Sequence, residues 1–119
     1  MSASSYQLHI RLAESLDLQV GRLGQFRFPA GDYIYTGSAK RHMEARLARH
    51  QRREKPLRWH IDYLTSHSDA VIQHIERSDR VECEWNQATK GQIVAAGFGA
   101  SDCKSGCGSH LKYLGPGHD

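Results

Sequence analysis

Tyr35-Thr36-Gly37-Ser38-Ala39, with Arg46 and His50 following, is where residue types and spacing point most directly to chemistry on an anion. A strand ending in Gly37 lets the main chain approach a ligand closely, and the N-terminus of a following helix favours negative charge. Arg46 and His50 are spaced i, i+4 and so project together from one helical face. A guanidinium can hold two oxygens of a phosphate, and an imidazole can move a proton. The phenol of Tyr35, at the strand end, can reach the same point. These residues also suit a plainer role, with the tyrosine packed in a sheet and Arg46 and His50 solvated.

The charge pattern bears on that choice. Eight of the sixteen Lys and Arg residues fall between Lys40 and Arg58, where the only acids are Glu44 and Glu54, and His42, His50 and His60 lie in or beside the block. A local basic block in a chain of net charge +3 is the footprint expected for a phosphate backbone. Gly37, Ser38, Lys40, Arg41, Arg49 and Arg53 are the candidate contacts to phosphate or nucleic acid. A solvated helix face would carry the same charges.

Two further groups of residues stand out. In Trp59-His60-Ile61-Asp62-Tyr63-Leu64, His60 suits a proton donor or a phosphate contact, while Asp62 suits a structural role, capping or orienting a neighbour. The C-terminal stretch offers Cys103, Cys107 and His110, and thiolates with an imidazole suit Zn²⁺. A structural zinc needs a fourth ligand, for which Cys83 or His118 would serve. The alternative is a hydrogen-bonded cap of Ser101, Asp102, Ser109 and His110 with small buried thiols.

These side chains need elements to position them. Tyr6, Leu8, Ile10 and Leu12 alternate with polar residues, the pattern of a half-buried strand. Leu18 to Phe28 reads as two short extended pieces about a turn, and Tyr33 to Thr36 as a strong strand. Ser38 is placed to cap a helix over Met43 to Arg53, which Lys55-Pro56 would end. One or two helical turns are expected over Trp59 to Leu64, a strand over Val71 to Ile75, a helix over Arg80 to Lys90 and a strand over Ile93 to Phe98. Residues 1–5 are expected to be flexible and 99–119 to form a loop-rich cap. The order predicts a single α+β domain over residues 1–119, with a small mixed or antiparallel central sheet flanked by helices.

Composition sets the outer limits. At 119 residues the chain holds one modest core, and no apolar run approaches the length needed to span a membrane. No secretory signal is evident at the N-terminus, and three cysteines are an odd number for a disulfide framework. A cytoplasmic protein is the expectation, with no membrane partner.

Taken together, Tyr6, the block Gly31-Asp32-Tyr33-Ile34-Tyr35-Thr36-Gly37-Ser38-Ala39 and the block Arg46-Leu47-Ala48-Arg49-His50 resemble the GIY-YIG nuclease pattern. With Trp59-His60-Ile61-Asp62-Tyr63-Leu64 and Gly97-Phe98-Gly99-Ala100-Ser101-Asp102-Cys103, the closer resemblance is to a subfamily of small stand-alone or fused domains. The likeness runs from residue 6 to residue 111. It departs from the pattern at Ser5-Tyr6, where the family reads Gly-Ile-Tyr, and at Thr36, where a larger apolar residue is usual.

The resemblance implies an endonuclease that hydrolyses DNA phosphodiester bonds with one divalent cation, Mg²⁺ or Mn²⁺. Tyr6 and Tyr35 would be the two motif tyrosines, one of them near the attacking water. Arg46 would stabilise charge on the phosphate, and His50 would assist proton transfer or position the leaving group. The metal ligand would be a single glutamate on a later helix, Glu82 or its rival Glu84. DNA is the expected partner ahead of RNA, with a protein partner for targeting. A different class of function, a non-catalytic nucleic-acid-binding or partner-docking module, would use the same scaffold and the same basic helix.

Overall fold

The alternation of Tyr6, Leu8, Ile10 and Leu12 is realised as a strand whose apolar side is 0–2% exposed. That strand, β1 (Ser5–Leu12), lies inside the sheet, so it is hydrogen-bonded on both edges. The computed structural model describes residues 3–100 and 106–116. Along the chain follow β2 (Leu16–Val20), β3 (Gly24–Phe28), β4 (Gly31–Ser38), α1 (Met43–Gln51), α2 (His60–Thr65), β5 (Ala70–Ser78), α3 (Glu82–Ala88) and β6 (Leu111–Gly115). The main sheet has the order β5-β1-β4-β6 with every pairing antiparallel, and β2 and β3 form a separate hairpin. The fold is α+β, as the order of elements predicts.

Register decides what faces what. Tyr6 pairs with Gly37 and Leu8 with Tyr35, so side-chain alternation puts Tyr6, Leu8, Ile10, Tyr33 and Tyr35 on one face. Leu47 of α1 and Ile61 and Leu64 of α2, each at most 2% exposed, join the same core. Gln7 and Lys112 project from the opposite face, where α3 lies. The Gln7 amide donates to Thr36 and Thr89 hydroxyls, and Lys112 Nζ donates to the Asn86 and Thr89 carbonyls.

Asp62 plays the structural part expected of it. Fully buried at the third position of α2, it accepts the Arg58 and Trp59 amides at 2.9 Å each and a two-pronged ion pair from Arg49 at 2.9 and 3.0 Å. This ties the start of α2 to the last turn of α1. Lys55 Nζ closes the same end of α1 by donating to the Arg49 and His50 carbonyls.

Several local expectations are corrected. Ser38 is the last residue of β4 and caps nothing; His42, with φ 58 and no side-chain cap, precedes α1. Residues 4 and 5 belong to the sheet, since the Ser4 amide donates to Ser78 and Ser5 opens β1. Ile93 to Phe98 forms turns around Gly97 (φ 82), because Ala95 and Phe98 both turn inward and a spacing of three cannot serve one face of a strand. The stretch read as a loop-rich cap instead contributes β6, an edge strand of the main sheet. Its hydrophobic alternation is masked by Lys112, whose stem is buried while its amine is bonded by α3 carbonyls. Among the described residues, no helix is long and apolar enough to cross a membrane.

Candidate active site

Side chains from four separate elements meet where the ends of β1 and β4 face α1. Tyr6 Oη lies 2.7 Å from His50 Nε2, a buried bond between residues forty-four apart in sequence. The Tyr35 ring stands 6.2 Å from the His50 ring and 6.5 Å from that of Tyr6. Arg46 hydrogen-bonds the Tyr6 phenol and donates to the Ser38 carbonyl at 2.7 Å. Its guanidinium lies 4.6 Å over the Trp59 ring, over which Arg49 also lies at 4.4 Å. Glu82, at the start of α3, places Oε2 3.0 Å from His110 Nδ1 and bonds the Ser38 side chain.

Burial and neighbours set the proton chemistry. Burial pushes the Tyr6 and Tyr35 phenols well above their ordinary value, with Arg46 opposing this in part. Both tyrosines therefore rest as neutral phenols. The His50 ring is lowered to about 4 by burial and then by the charge of Lys55, so it is a neutral imidazole at neutral pH. Its Nδ1 has no hydrogen-bond partner among the described residues. For Glu82, burial raises the carboxyl, but the bonds from His110 and Ser38 and the charge of Arg46 outweigh it and hold the group below its ordinary value.

Tyr6 and Tyr35 each depend on a glycine. A Cβ built on Gly37 would lie 2.6 Å from Tyr6 Cζ and Oη, so Gly37 makes room for the phenol rather than for a phosphate. A Cβ on Gly99, at φ 67, would lie 2.8 Å from Tyr35 Cε1. His60 acts on this second contact: its Nδ1 accepts the Gly99 amide at 2.8 Å, and its ring packs on Phe98 at 5.7 Å. His60 thus holds the turn behind Tyr35. Because the Tyr6 ring is rigid and wedged against His50, Gly37→Ala is expected to cost about 1–3 kcal/mol of stability by overpacking. Denaturant unfolding measures it, and an unchanged midpoint would refute the contact.

The remaining candidates divide. Glu82 is half-buried with Oε2 against His110, while Glu84 is exposed. Arg49 is held by Asp62 and the Pro56 carbonyl, and Arg53 donates to the His67 carbonyl, so neither points into the cluster. Lys40 and Arg41 are exposed on the bend after Ser38, beside it. Cys103 lies outside the described residues. Cys107 and His110 are brought together, with Cys83 of α3 as their third neighbour. The sequence reading missed the Glu82–His110 pair and the role of Gly99. The only signal was that His110 and Gly99 both fall in the glycine-rich C-terminal stretch.

The displaced titration of His50 has a consequence for stability. The unfolded imidazole takes up its proton near pH 6.5, whereas the folded one resists until about pH 4, so acid favours the unfolded chain across that window. The expected loss is up to about 3 kcal/mol between the two values. Stability curves of the parent and His50→Gln at several pH values check this. The variant should lose most of the slope above pH 4.5, keeping the part due to His60, which burial also lowers, and the acid loss due to Asp62 and Glu82 below it. An equal slope in both proteins would exclude His50 as its source.

A family model described as "Domain of unknown function DUF123" matches residues 5–118, so the chain belongs to that family. No curated protein and no solved structure matches it.

Proposed function

We propose that this member of the DUF123 family is a divalent-metal-dependent nuclease of the GIY-YIG type, which hydrolyses phosphodiester bonds in DNA in preference to RNA. One observation carries the reading: Tyr6, Tyr35, Arg46, His50 and Glu82, drawn from β1, β4, α1 and α3, converge on one place. A packed core has no need of a buried Tyr–His bond beside an arginine and an ionised carboxylate. Such a combination suits proton transfer next to bound phosphate.

Each group has a part. Arg46 uses one N–H on the Ser38 carbonyl and one on Tyr6, which leaves other donors of its five for a phosphate oxygen. The neutral imidazole of His50 has a lone pair to offer at Nε2. When water attacks phosphorus, its proton can pass to Tyr6 Oη while the phenol proton moves to His50 Nε2. The relay never requires a free phenolate, which burial makes costly. The bond from phosphorus to the leaving oxygen breaks as the bond to water forms.

The donor chemistry at Glu82 fits Mg²⁺ or Mn²⁺. Its carboxylate is ionised and supplies hard oxygen, and such ions are often held by one carboxylate together with water and substrate phosphate. When bound, such an ion polarises the phosphate and stabilises the leaving oxygen. Tyr35 walls the site beside Tyr6, and Lys40 and Arg41 on the adjoining bend are placed for neighbouring phosphates. Among the described residues no groove-reading element accompanies the site, which favours structure-guided or weakly specific cutting and a partner protein for targeting. The reading suits a cytoplasmic protein.

Cleavage of a labelled panel of single-stranded, duplex, flap and fork substrates, in DNA and RNA, tests the proposal with Mg²⁺, Mn²⁺ or EDTA. Metal-dependent cutting of at least one DNA substrate is expected. Salt-sensitive binding without cutting of any substrate would replace it with the non-catalytic binding module.

A further inference from the structure

We infer that Cys83, Cys107 and His110 form a second metal site, selective for Zn²⁺ or another thiophilic ion, behind the carboxylate of Glu82. The one ligand atom each residue offers lies within 4.8 Å of the other two, although Cys83 comes from α3 and the others from the segment leading into β6. His110 Nε2 stands 3.9 Å from Cys83 Sγ. Two such atoms on one tetrahedral Zn²⁺ would be about 3.6 Å apart for the usual Zn–S and Zn–N lengths, so little movement is needed.

The histidine is oriented for ligation. Its Nδ1 faces two acceptors, Glu82 Oε2 at 3.0 Å and the Thr36 carbonyl at 3.1 Å. Nδ1 therefore carries the hydrogen, and Nε2 presents its lone pair towards Cys83. A carboxylate or carbonyl behind the non-ligating nitrogen is the support that metal-binding histidines characteristically have. Ring and bonds are buried, with His110 only 1% exposed, while both cysteines are half-buried and reachable by an ion. Two thiols and an imidazole discriminate against Mg²⁺ and favour a soft or borderline ion. Binding releases the two thiol protons to solvent.

The site joins α3 to a segment that the Asn86 amide already holds through the Ser109 carbonyl. It would pin the Gly106–Ser109 segment to α3 and lock the His110 tautomer, and through Nδ1 it would fix Glu82 Oε2. The inference stands independently of the nuclease reading, because it concerns other atoms and another class of ion.

Cobalt substitution of the full chain, freed of metal and kept reduced, is the test. One equivalent of Co²⁺ should give a thiolate-to-metal charge-transfer band, and Zn²⁺ should displace it. Cys83→Ser, Cys107→Ser and His110→Gln should each weaken binding at least tenfold, and Glu82→Gln by about 10–100-fold while the thiolate band persists. His9→Gln and His74→Gln should change nothing. Should the cysteine variants fail to fold, alkylation of the parent chain, mapped to individual peptides, gives the same answer: one equivalent of Zn²⁺ should protect Cys83 and Cys107. A cobalt complex without the thiolate band, or labelling of either cysteine indifferent to zinc, would overturn the site.

Discussion

Replacing Arg46 with alanine is expected to lower metal-dependent cleavage by about 10²–10³-fold, the usual cost of losing one preorganised donor to developing charge. The expectation rests on where the guanidinium is held. It is braced by the Ser38 carbonyl and the Trp59 ring and bonds the Tyr6 phenol, so its remaining donors are aimed without further ordering. The same bracing means that Arg46→Ala also costs stability, roughly 1–2 kcal/mol for one hydrogen bond and a cation–π contact. Rates should therefore be compared at a temperature where circular dichroism shows both proteins folded. Arg46→Lys keeps the charge but not the fork, and an intermediate loss is expected from it. Parent-like cleavage by folded Arg46→Ala would refute the assignment.

The second large effect separates two carboxylates that the sequence leaves as rivals. Glu82→Gln should lower the rate at least 100-fold and raise the Mg²⁺ concentration needed for half-maximal cutting, because it removes the only carboxylate among the described residues bonded into the cluster. Glu84→Gln, on the exposed side of α3, should remain within about twofold, as surface changes generally do. Measuring rate against metal concentration for both variants decides the matter. Equal mild effects would show that neither holds the ion. Cys107→Ser tells the two sites apart: it disturbs zinc but leaves the Glu82 carboxylate in place, so its Mg²⁺ dependence should shift far less than that of Glu82→Gln.

How much of this was legible beforehand follows the range of the interactions. The strand of Tyr6 to Leu12, the hairpin of residues 16 to 28, the strand ending at Gly37 and the basic helix are all written in local periodicity and in turn residues. So are the α+β class, the i, i+4 pairing of Arg46 and His50, and the capping role of Asp62. Each depends on neighbours within one turn or one strand, and there the pattern of side chains is itself the cause of the structure.

Other features depended on segments distant in sequence. The chain alone could not say that Gly37 lies under Tyr6 and Gly99 under Tyr35, because both follow from cross-strand register and a distant turn. It could not free Arg46 from its likeness to Arg49, whose charge is taken by Asp62 on another helix. Nor could it show the last strand, whose buried lysine breaks the alternation and is tolerated because α3 offers carbonyls to its amine. The pairing of Glu82 with His110 while Glu84 stays exposed, and the meeting of Cys83 with Cys107 and His110, were decided only when α3 settled against the sheet. The sequence by itself determined the elements and the kinds of chemistry available. Tertiary structure decided which groups share a site, because burial and distance between remote segments set each proton affinity and each partner.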